Sequence, residues 1–389
     1  MSKIDKNVLY LGWVSFFTDM ASAMINPILP VFVVSVLHEG YDKLGIIVAV
    51  ATFVSYALRL VSGYISDRYG IVKPLVVSGY LLSAVSKPLI AFTHGYKSVA
   101  LLKGVERLGK GVRSAPKDLL ISLYSRKRQE GKTFGFHKTL DIAGELSGTL
   151  LVFGLLWYFG QSEHVIRNIF LATLLPGVIG VVIVTFLVKD APAQRGAGYA
   201  FRVTQADRAV IGRLFFYFLF VLFFFSDAFF TMRAKSAGFA TFLIPLLFVV
   251  STATQTLISY PIGKLIDRYG VRYLLAFAYL CGLAAQLLLL EGSMLSIWTA
   301  YALLGIFTVT SLNANRAYIA AYATNRGSVY GVFYAGVALF GAIGALVSGY
   351  VWEYLGMRDA LLLALSGSGA VFLIYMLSVV KDKTGEAKA

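Results

Sequence analysis

Apolar runs of about twenty residues recur along the chain, from VLYLGWVSFF near its start to LLLALSGSGAVFLIYMLSVV near its end, with short polar breaks between them. A hydrocarbon core about 30 Å thick takes roughly 20 mainly apolar helical residues to cross. A membrane β-barrel would instead show weakly alternating segments of about ten residues. The pattern predicts an all-α membrane protein of twelve transmembrane helices, near 8–37, 43–67, 72–94, 97–124, 133–160, 165–188, 211–235, 240–265, 271–291, 296–322, 328–353 and 358–380. These are numbered spans 1 to 12. The longest break, KDAPAQRGAGYAFRVTQADRA after Val188, is polar and rich in small residues. It predicts a six-helix bundle over 1–188, a linker over 189–210, and a second six-helix bundle with a short tail over 211–389.

Composition agrees with the pattern: 58% of residues are hydrophobic and 14% charged, with a mean hydropathy of +0.74. Soluble domains carry far more charge. Basic residues cluster in alternate connections: Lys3 and Lys6, Arg68 and Lys73, Arg126 to Lys132, Lys189 to Arg213, Arg268 and Arg272, and the tail. Cytoplasmic loops are enriched in Lys and Arg, so both termini are expected to be cytoplasmic. Much of the formal charge of +15 is therefore topological. The aromatic–basic interleaving of nucleic-acid modules is missing, and no nucleic-acid partner is expected. Asp19 interrupts the candidate core of a signal peptide, and the apolar run continues to Leu37, so residues 8–37 read as a retained span. The one cysteine, Cys281, cannot form an internal disulfide.

The chain repeats itself. SGYISDRYG from Ser62 and YPIGKLIDRYG from Tyr260 share G-x-x-x-D-R-Y-G, with Asp67 and Asp267 lying 200 residues apart. FFTDMA around Asp19 echoes FFSDAF around Asp227, and FGFHKTLDIAGELSG weakly echoes YGVFYAGVALFGAIG. Two related six-helix halves follow, an internal duplication common in transporters. With these features the chain resembles the major facilitator superfamily over essentially its whole length. Gly63, Asp67, Arg68 and Gly70, and again Gly263, Asp267, Arg268 and Gly270, match that family's loop motif between spans 2 and 3 and between spans 8 and 9. Arg107 with Gly111 resembles its second motif. Ile71 and Val72 stand where the first loop usually has bases. Gly144 and Gly148 match part of the antiporter motif, with Thr149 in place of a proline. The resemblance implies two pseudo-symmetric six-helix bundles that rock around a central site, with the repeated loops as gating latches.

Span 4 carries the densest charge, ERLGKGVRSAPKD from Glu106 to Asp118. At 100° per residue, Glu106, Lys110, Arg113 and Lys117 fall within about 60° of one another, while Gly104, Gly111 and Ala115 lie opposite. Each charge in hydrocarbon costs about 2.5–3.5 kcal/mol on insertion scales, so these groups must face water, partners, or both. Lys117 and Asp118 alternatively reach the cytoplasmic interface. Asp19, Arg59, Lys87, Lys138, Asp141 and Glu145 add charge to neighbouring spans, and His137, Asp141 and Glu145 share one face. The second half is poorer, with Asp227, Arg233, Lys235 and Arg316 beside Asn313 and Asn315.

The expected function is secondary active transport of a small organic anion, coupled to protons or another ion. Arg107, Lys110, Arg113, Arg59, Asn313 and Arg316 are the candidate substrate contacts, since guanidinium groups suit carboxylate and phosphate. Asp19, Glu106, Asp141, Glu145 and Asp227 are the candidate proton carriers. The other reading of these charges is a static network that neutralises itself. Proton-driven efflux of amphipathic drugs is an alternative, given 29 Phe and 23 Tyr. A scaffold or a lipid flippase on the same fold is another. Without a Walker loop, a zinc signature or a nucleophile elbow, no enzyme activity, cofactor or metal is expected, and a monomer is expected.

Overall fold

The computed structural model describes residues 4–69, 71–125, 130–190 and 203–386, with the side chains of residues 57, 59–61, 63–69, 130–131 and 380–386 left undescribed. Among the described residues there is helix and turn but no strand. Nine helices among them have the length and apolarity to cross a membrane. The helix of span 4, Tyr96–Leu123, is not among the nine. Its charged side chains are too many for lipid, which is why it must be judged by what surrounds it.

Local chemistry sets the helix ends. Asp5 caps span 1 through the Asn7 N–H (2.7 Å), and Ser293 caps span 10 through Ser296 (3.2 Å). Span 7 opens on a capping box of Thr204 and Asp207. Asp207 is fully buried and also accepts from the backbone N–H groups of Thr324 (2.8 Å) and Asn325 (3.2 Å). That one carboxylate ties the start of span 7 to the turn between spans 10 and 11. The turn between spans 8 and 9 needs Gly270, whose φ of +85° is left-handed space that side chains avoid.

Spans 1 and 7 are broken by several non-helical residues. Span 1 is helical over Lys6–Ala23 and resumes at Leu29–Val31, running into a π-helical turn at Phe32–Val36. Pro27 and Pro30 lie in and just after the gap, and proline can neither donate a hydrogen bond nor fit a helix interior. Span 7 runs Gln205–Phe223, turns extended at Phe224, and restarts at Asp227–Ser236. The breaks revise the echo between Asp19 and Asp227. Asp19 sits inside its helix before the break, whereas Asp227 opens the helix after one and is exposed. By contrast, Pro116 lies inside the continuous helix of span 4 without interrupting it.

The chain packs as two compact units. Unit 1 is 1–39, 50–200 and 240–246; unit 2 is 40–49, 201–239 and 247–389. Unit 1 joins spans 1 and 5 at Gly144 and Gly148, where a Cβ would strike the Phe16 and Met20 carbonyls. It also holds the Thr241 N–H on the Gln161 side chain (2.5 Å). Unit 2 has an aromatic core in which Phe220 stacks on Tyr279 (4.5 Å) and packs on Phe307 (5.3 Å). Within unit 2, Gly344 meets the Leu222 carbonyl as Gly148 meets Met20, so the weak third echo marks the same kind of close helix contact. Tyr41 stacks on Trp352 there (4.9 Å), and its N–H donates to Glu353 (2.7 Å).

Candidate functional site

The charged residues of unit 1 fall into two groups, and their helical angle separates them. Glu106 and Arg113 occupy the edge of the span 4 stripe nearest span 3 (Lys73–Leu89). Close backbone approach there comes from glycine, because a Cβ on Gly79 would strike the Gly109 carbonyl. Arg113 is 5% exposed. Its guanidinium donates to the Gly79 carbonyl (3.1 Å) and the Ser83 hydroxyl (2.6 Å) and lies 4.4 Å over the Tyr80 ring. Glu106 is equally buried and sits 3.0 Å from the Lys103 ammonium and 3.3 Å from Arg107. Lys103 also donates to the Asn26 side chain (2.9 Å), inside the break of span 1. Lys87 is buried as well and donates to the Thr18 carbonyl (3.1 Å). Each of these groups has a partner, and their contacts knit spans 1, 3 and 4 together.

The second group is half-buried: Asp19, Arg107, Lys110, Lys117, Asp141 and Glu145. Lys110 makes no ion pair or side-chain hydrogen bond among the described residues. Asp19 likewise has no ion pair within 4.0 Å, yet its charge acts on Lys87, Lys110, Lys117, His137 and Asp141. Lys117 lies 3.9 Å from exposed Asp118. Lys110 is thus a cation near acids that it does not touch, with no carboxylate in contact among the described residues.

A chain of polar contacts crosses unit 1 beside that group. The Tyr80 and Ser15 hydroxyls are 3.4 Å apart, Ser15 Oγ lies 3.0 Å from His137 Nε2, and His137 Nδ1 lies 3.4 Å from Asp141 Oδ1. His137 is buried and Asp141 half-buried. The Tyr80, Ser15 and His137 groups are within hydrogen-bonding distance of one another in turn, whereas Asp141 Oδ1 is buried beside His137 without a hydrogen-bond partner among the described residues. Glu145 lies one turn further along span 5, and Thr149 donates to its carbonyl (2.8 Å). Lys138 has a side chain 66% exposed and lies 4.0 Å from Asp141.

Unit 2 holds its candidates separately. Arg316 donates to the Tyr334 hydroxyl (3.2 Å), and Asn313 reaches Ser259 at 3.5 Å. Arg233 is buried, with its Nε on the Leu289 carbonyl (2.6 Å). In the second loop motif, Asp267 and Arg268 are exposed, and the Arg268 guanidinium lies 5.2 Å over Tyr269. Arg59, Gly63, Asp67 and Arg68 lie on the helix Tyr41–Tyr69 with their side chains undescribed, and Gly70 lies outside the described residues. Sequence reading passed over Lys103, Ser15, Tyr80 and Asn26. Lys103 was legible as an i, i+3 partner of Glu106; the uncharged three become visible only through their neighbours.

The Major Facilitator Superfamily family model matches residues 11–252 and 215–389. An uncharacterised MFS-type transporter of Methanocaldococcus jannaschii is 30% identical over 364 residues, 90% of this chain and 89% of that protein. The multidrug resistance protein MdtH of Aeromonas hydrophila is 22% identical, covering 89% of this chain and 87% of its own. Among solved structures, a variant of the nucleoside transporter NupG superposes with a TM-score of 0.80 at 14% identity, over 95% of this chain and 99% of that one. The likeness to NupG is one of fold. Family model, whole-length relative and fold agree: this chain is an integral membrane transporter and belongs to the major facilitator superfamily.

Proposed function

We propose that the protein is a secondary active transporter of a small organic anion, driven by protons and working by alternating access between halves 1–188 and 211–389 joined by linker 189–210. The observation that carries this reading is Lys110, a half-buried cation with no ion pair, flanked on its helix by half-buried Arg107 and Lys117. An ammonium held in low dielectric with no carboxylate in contact is costly, and an arriving carboxylate or phosphate supplies that contact. Arg107 and Lys110 are the proposed substrate contacts, and Arg113 positions span 4 against span 3. The contacts running Tyr80, Ser15, His137 and Asp141, with Asp19 alongside, are the proposed proton route. Arg59, Asn313 and Arg316 complete the substrate set in this reading, and Glu106, Glu145 and Asp227 the acid set. In this reading the protein is a monomer of the inner membrane with both termini cytoplasmic.

Efflux of amphipathic compounds is the second reading, supported by the name of the MdtH relative. The aromatic content is weaker support, since Phe218, Phe220, Tyr279, Phe307 and Phe333 are buried in the packing core of unit 2. Flux into proteoliposomes under an imposed pH gradient tests both readings, with a panel of organic anions and cationic dyes. Gradient-dependent anion uptake, lost in Lys110→Gln and uncoupled from the gradient in Asp141→Asn, is the expected result. Dye transport indifferent to Lys110→Gln would overturn the anion reading in favour of efflux.

A further inference from the structure

One buried cation of unit 1 takes no part in the transport site proposed above. Lys87, in the last turn of the span 3 helix, is 1% exposed and makes no ion pair within 4.0 Å among the described residues. Its side chain donates to the Thr18 carbonyl of span 1 (3.1 Å). Span 6 closes over the same place at Gly177 and Gly180, where a Cβ would crowd Ala84 (3.1 Å) and the Thr18 hydroxyl (3.2 Å). That stretch of span 6, Leu174–Val182, has no charged residue. Further along span 6, Arg167 is engaged by Glu163 and by the Ala91 and Thr93 carbonyls. The charges that act on Lys87 come from Glu106, Arg113 and Lys103 of span 4 and from Asp19 of span 1.

A buried ammonium with no carboxylate in contact is costly. The acceptor that Lys87 does have fits either form of the group, since an ammonium and a neutral amine both keep an N–H for the Thr18 carbonyl. Loss of the proton breaks one Nζ–H bond, leaves its electron pair on nitrogen and preserves the hydrogen bond. The strength of that bond changes, because a charged donor makes a hydrogen bond roughly twice as strong as a neutral one. Thr18 lies near the end of the first helix of span 1, which stops at Ala23. Its carbonyl also accepts from the Ser22 hydroxyl (3.0 Å), and its own hydroxyl donates to the Val14 carbonyl (2.8 Å). Back-bonding of this kind bends helices. Protonated Lys87 therefore clamps span 3 to the segment of span 1 just before its break, and neutral Lys87 loosens the clamp.

We propose that Lys87 carries the coupling proton of transport, and that its protonation sets the grip of span 3 on the break of span 1. This rests on the proton-coupled reading above and names the group on which the proton resides. Asp19, next in sequence to Thr18 and the acid of span 1 whose charge acts on Lys87, is the carboxylate that takes the proton from the ammonium and returns it. Arg107, a proposed substrate contact, lies 3.3 Å from Glu106, whose charge also acts on Lys87. An anion at Arg107 and Lys110 and a proton on Lys87 are of opposite charge, so each strengthens the binding of the other, and by the same factor. Anion and proton therefore travel together.

Two variants separate proton chemistry from packing. Lys87→Arg keeps a charged donor that does not release its proton, and Lys87→Met keeps the length of the side chain without charge. Where Lys87→Met does not fold, Lys87→Gln replaces it as a neutral donor to the Thr18 carbonyl. Matched potentiometric titrations of the purified full chain need no substrate. Between about pH 5 and pH 9 the parent is expected to take up one proton more per chain than either variant, with Lys97→Met, at an exposed lysine, matching the parent. Equal uptake by parent and variants would overturn the proposal, whichever solute moves. In proteoliposomes with the panel of anions and dyes, Lys87→Arg is expected to keep exchange of labelled for unlabelled solute while gradient-driven accumulation falls at least tenfold. Accumulation restored by Lys87→Arg would make Lys87 a packing residue and overturn its role in coupling. Movement of dyes alone would sink the anion reading, and the same loss of accumulation in Lys87→Arg, measured on the dyes, would still support Lys87 as the proton carrier.

Discussion

Lys110 and Glu106 show how four residues along one helix separate two roles. Glu106 is 1% exposed and answers to two cations, Lys103 and Arg107. Removing its charge leaves buried Lys103 and half-buried Arg107 without their carboxylate, and breaking a buried ion pair costs about 3–5 kcal/mol. Glu106→Gln is therefore expected to lower the melting temperature of the purified protein sharply, whatever it does to transport. A variant that melts like the parent would mean the network is not cohesive. Lys110 has no such debt to its neighbours. Lys110→Gln is expected to keep the parent melting temperature while raising KM for an anionic substrate at least tenfold, and Lys110→Arg to restore most of the loss. Unchanged KM in Lys110→Gln would remove Lys110 from the substrate site.

At the scale of elements, helix contacts made by glycine are the sensitive joints. Gly148 and Gly344 each face a carbonyl of a neighbouring helix at a distance that leaves no room for a side chain. Substituting leucine at either forces the helices apart, and overpacking of this kind costs about 1–3 kcal/mol or more. Gly154 lies on the same helix as Gly148 with nothing near its missing Cβ. Gly154→Ala is expected to stabilise by about 0.5–1 kcal/mol, because alanine restricts the unfolded chain and favours helix. Opposite signs in the two thermal melts are the diagnostic; a loss of stability in both would show that the span 5 helix tolerates no added side chain anywhere. The sequence carried the glycines and a weak echo between 134–148 and 330–344. It did not carry which helix each one meets, since that depends on the approach of a residue more than a hundred positions away.

For the whole molecule, topology is the quantity that pattern predicts and chemistry can check. Cys281 is buried, so the native thiol is a quiet background for labelling. Gln161→Cys lies in a connection predicted to be external and Ser125→Cys in one predicted to be cytoplasmic. A membrane-impermeant maleimide is expected to label the first in intact cells and the second only after lysis. The reverse pattern would invert the assigned orientation and place both termini outside.

Fold class was legible because it rests on short-range chemistry. Apolar length, the placement of Lys and Arg, and the turn residues report the membrane directly, since lipid acts on each span separately. The breaks were half legible: Pro27 and Pro30 announce the one in span 1, while Phe224 to Ser226 carry no proline to announce the other. Which charges are free was decided by tertiary structure alone. Helical angle put Glu106, Lys110, Arg113 and Lys117 on one stripe, and the sequence weighs them alike. Packing against span 3 took Arg113 into hydrogen bonds with Gly79 and Ser83, and Lys103 with Arg107 took Glu106, leaving Lys110 without an ion pair. A side chain's freedom depends on partners brought from distant spans, and no periodicity within its own helix records them.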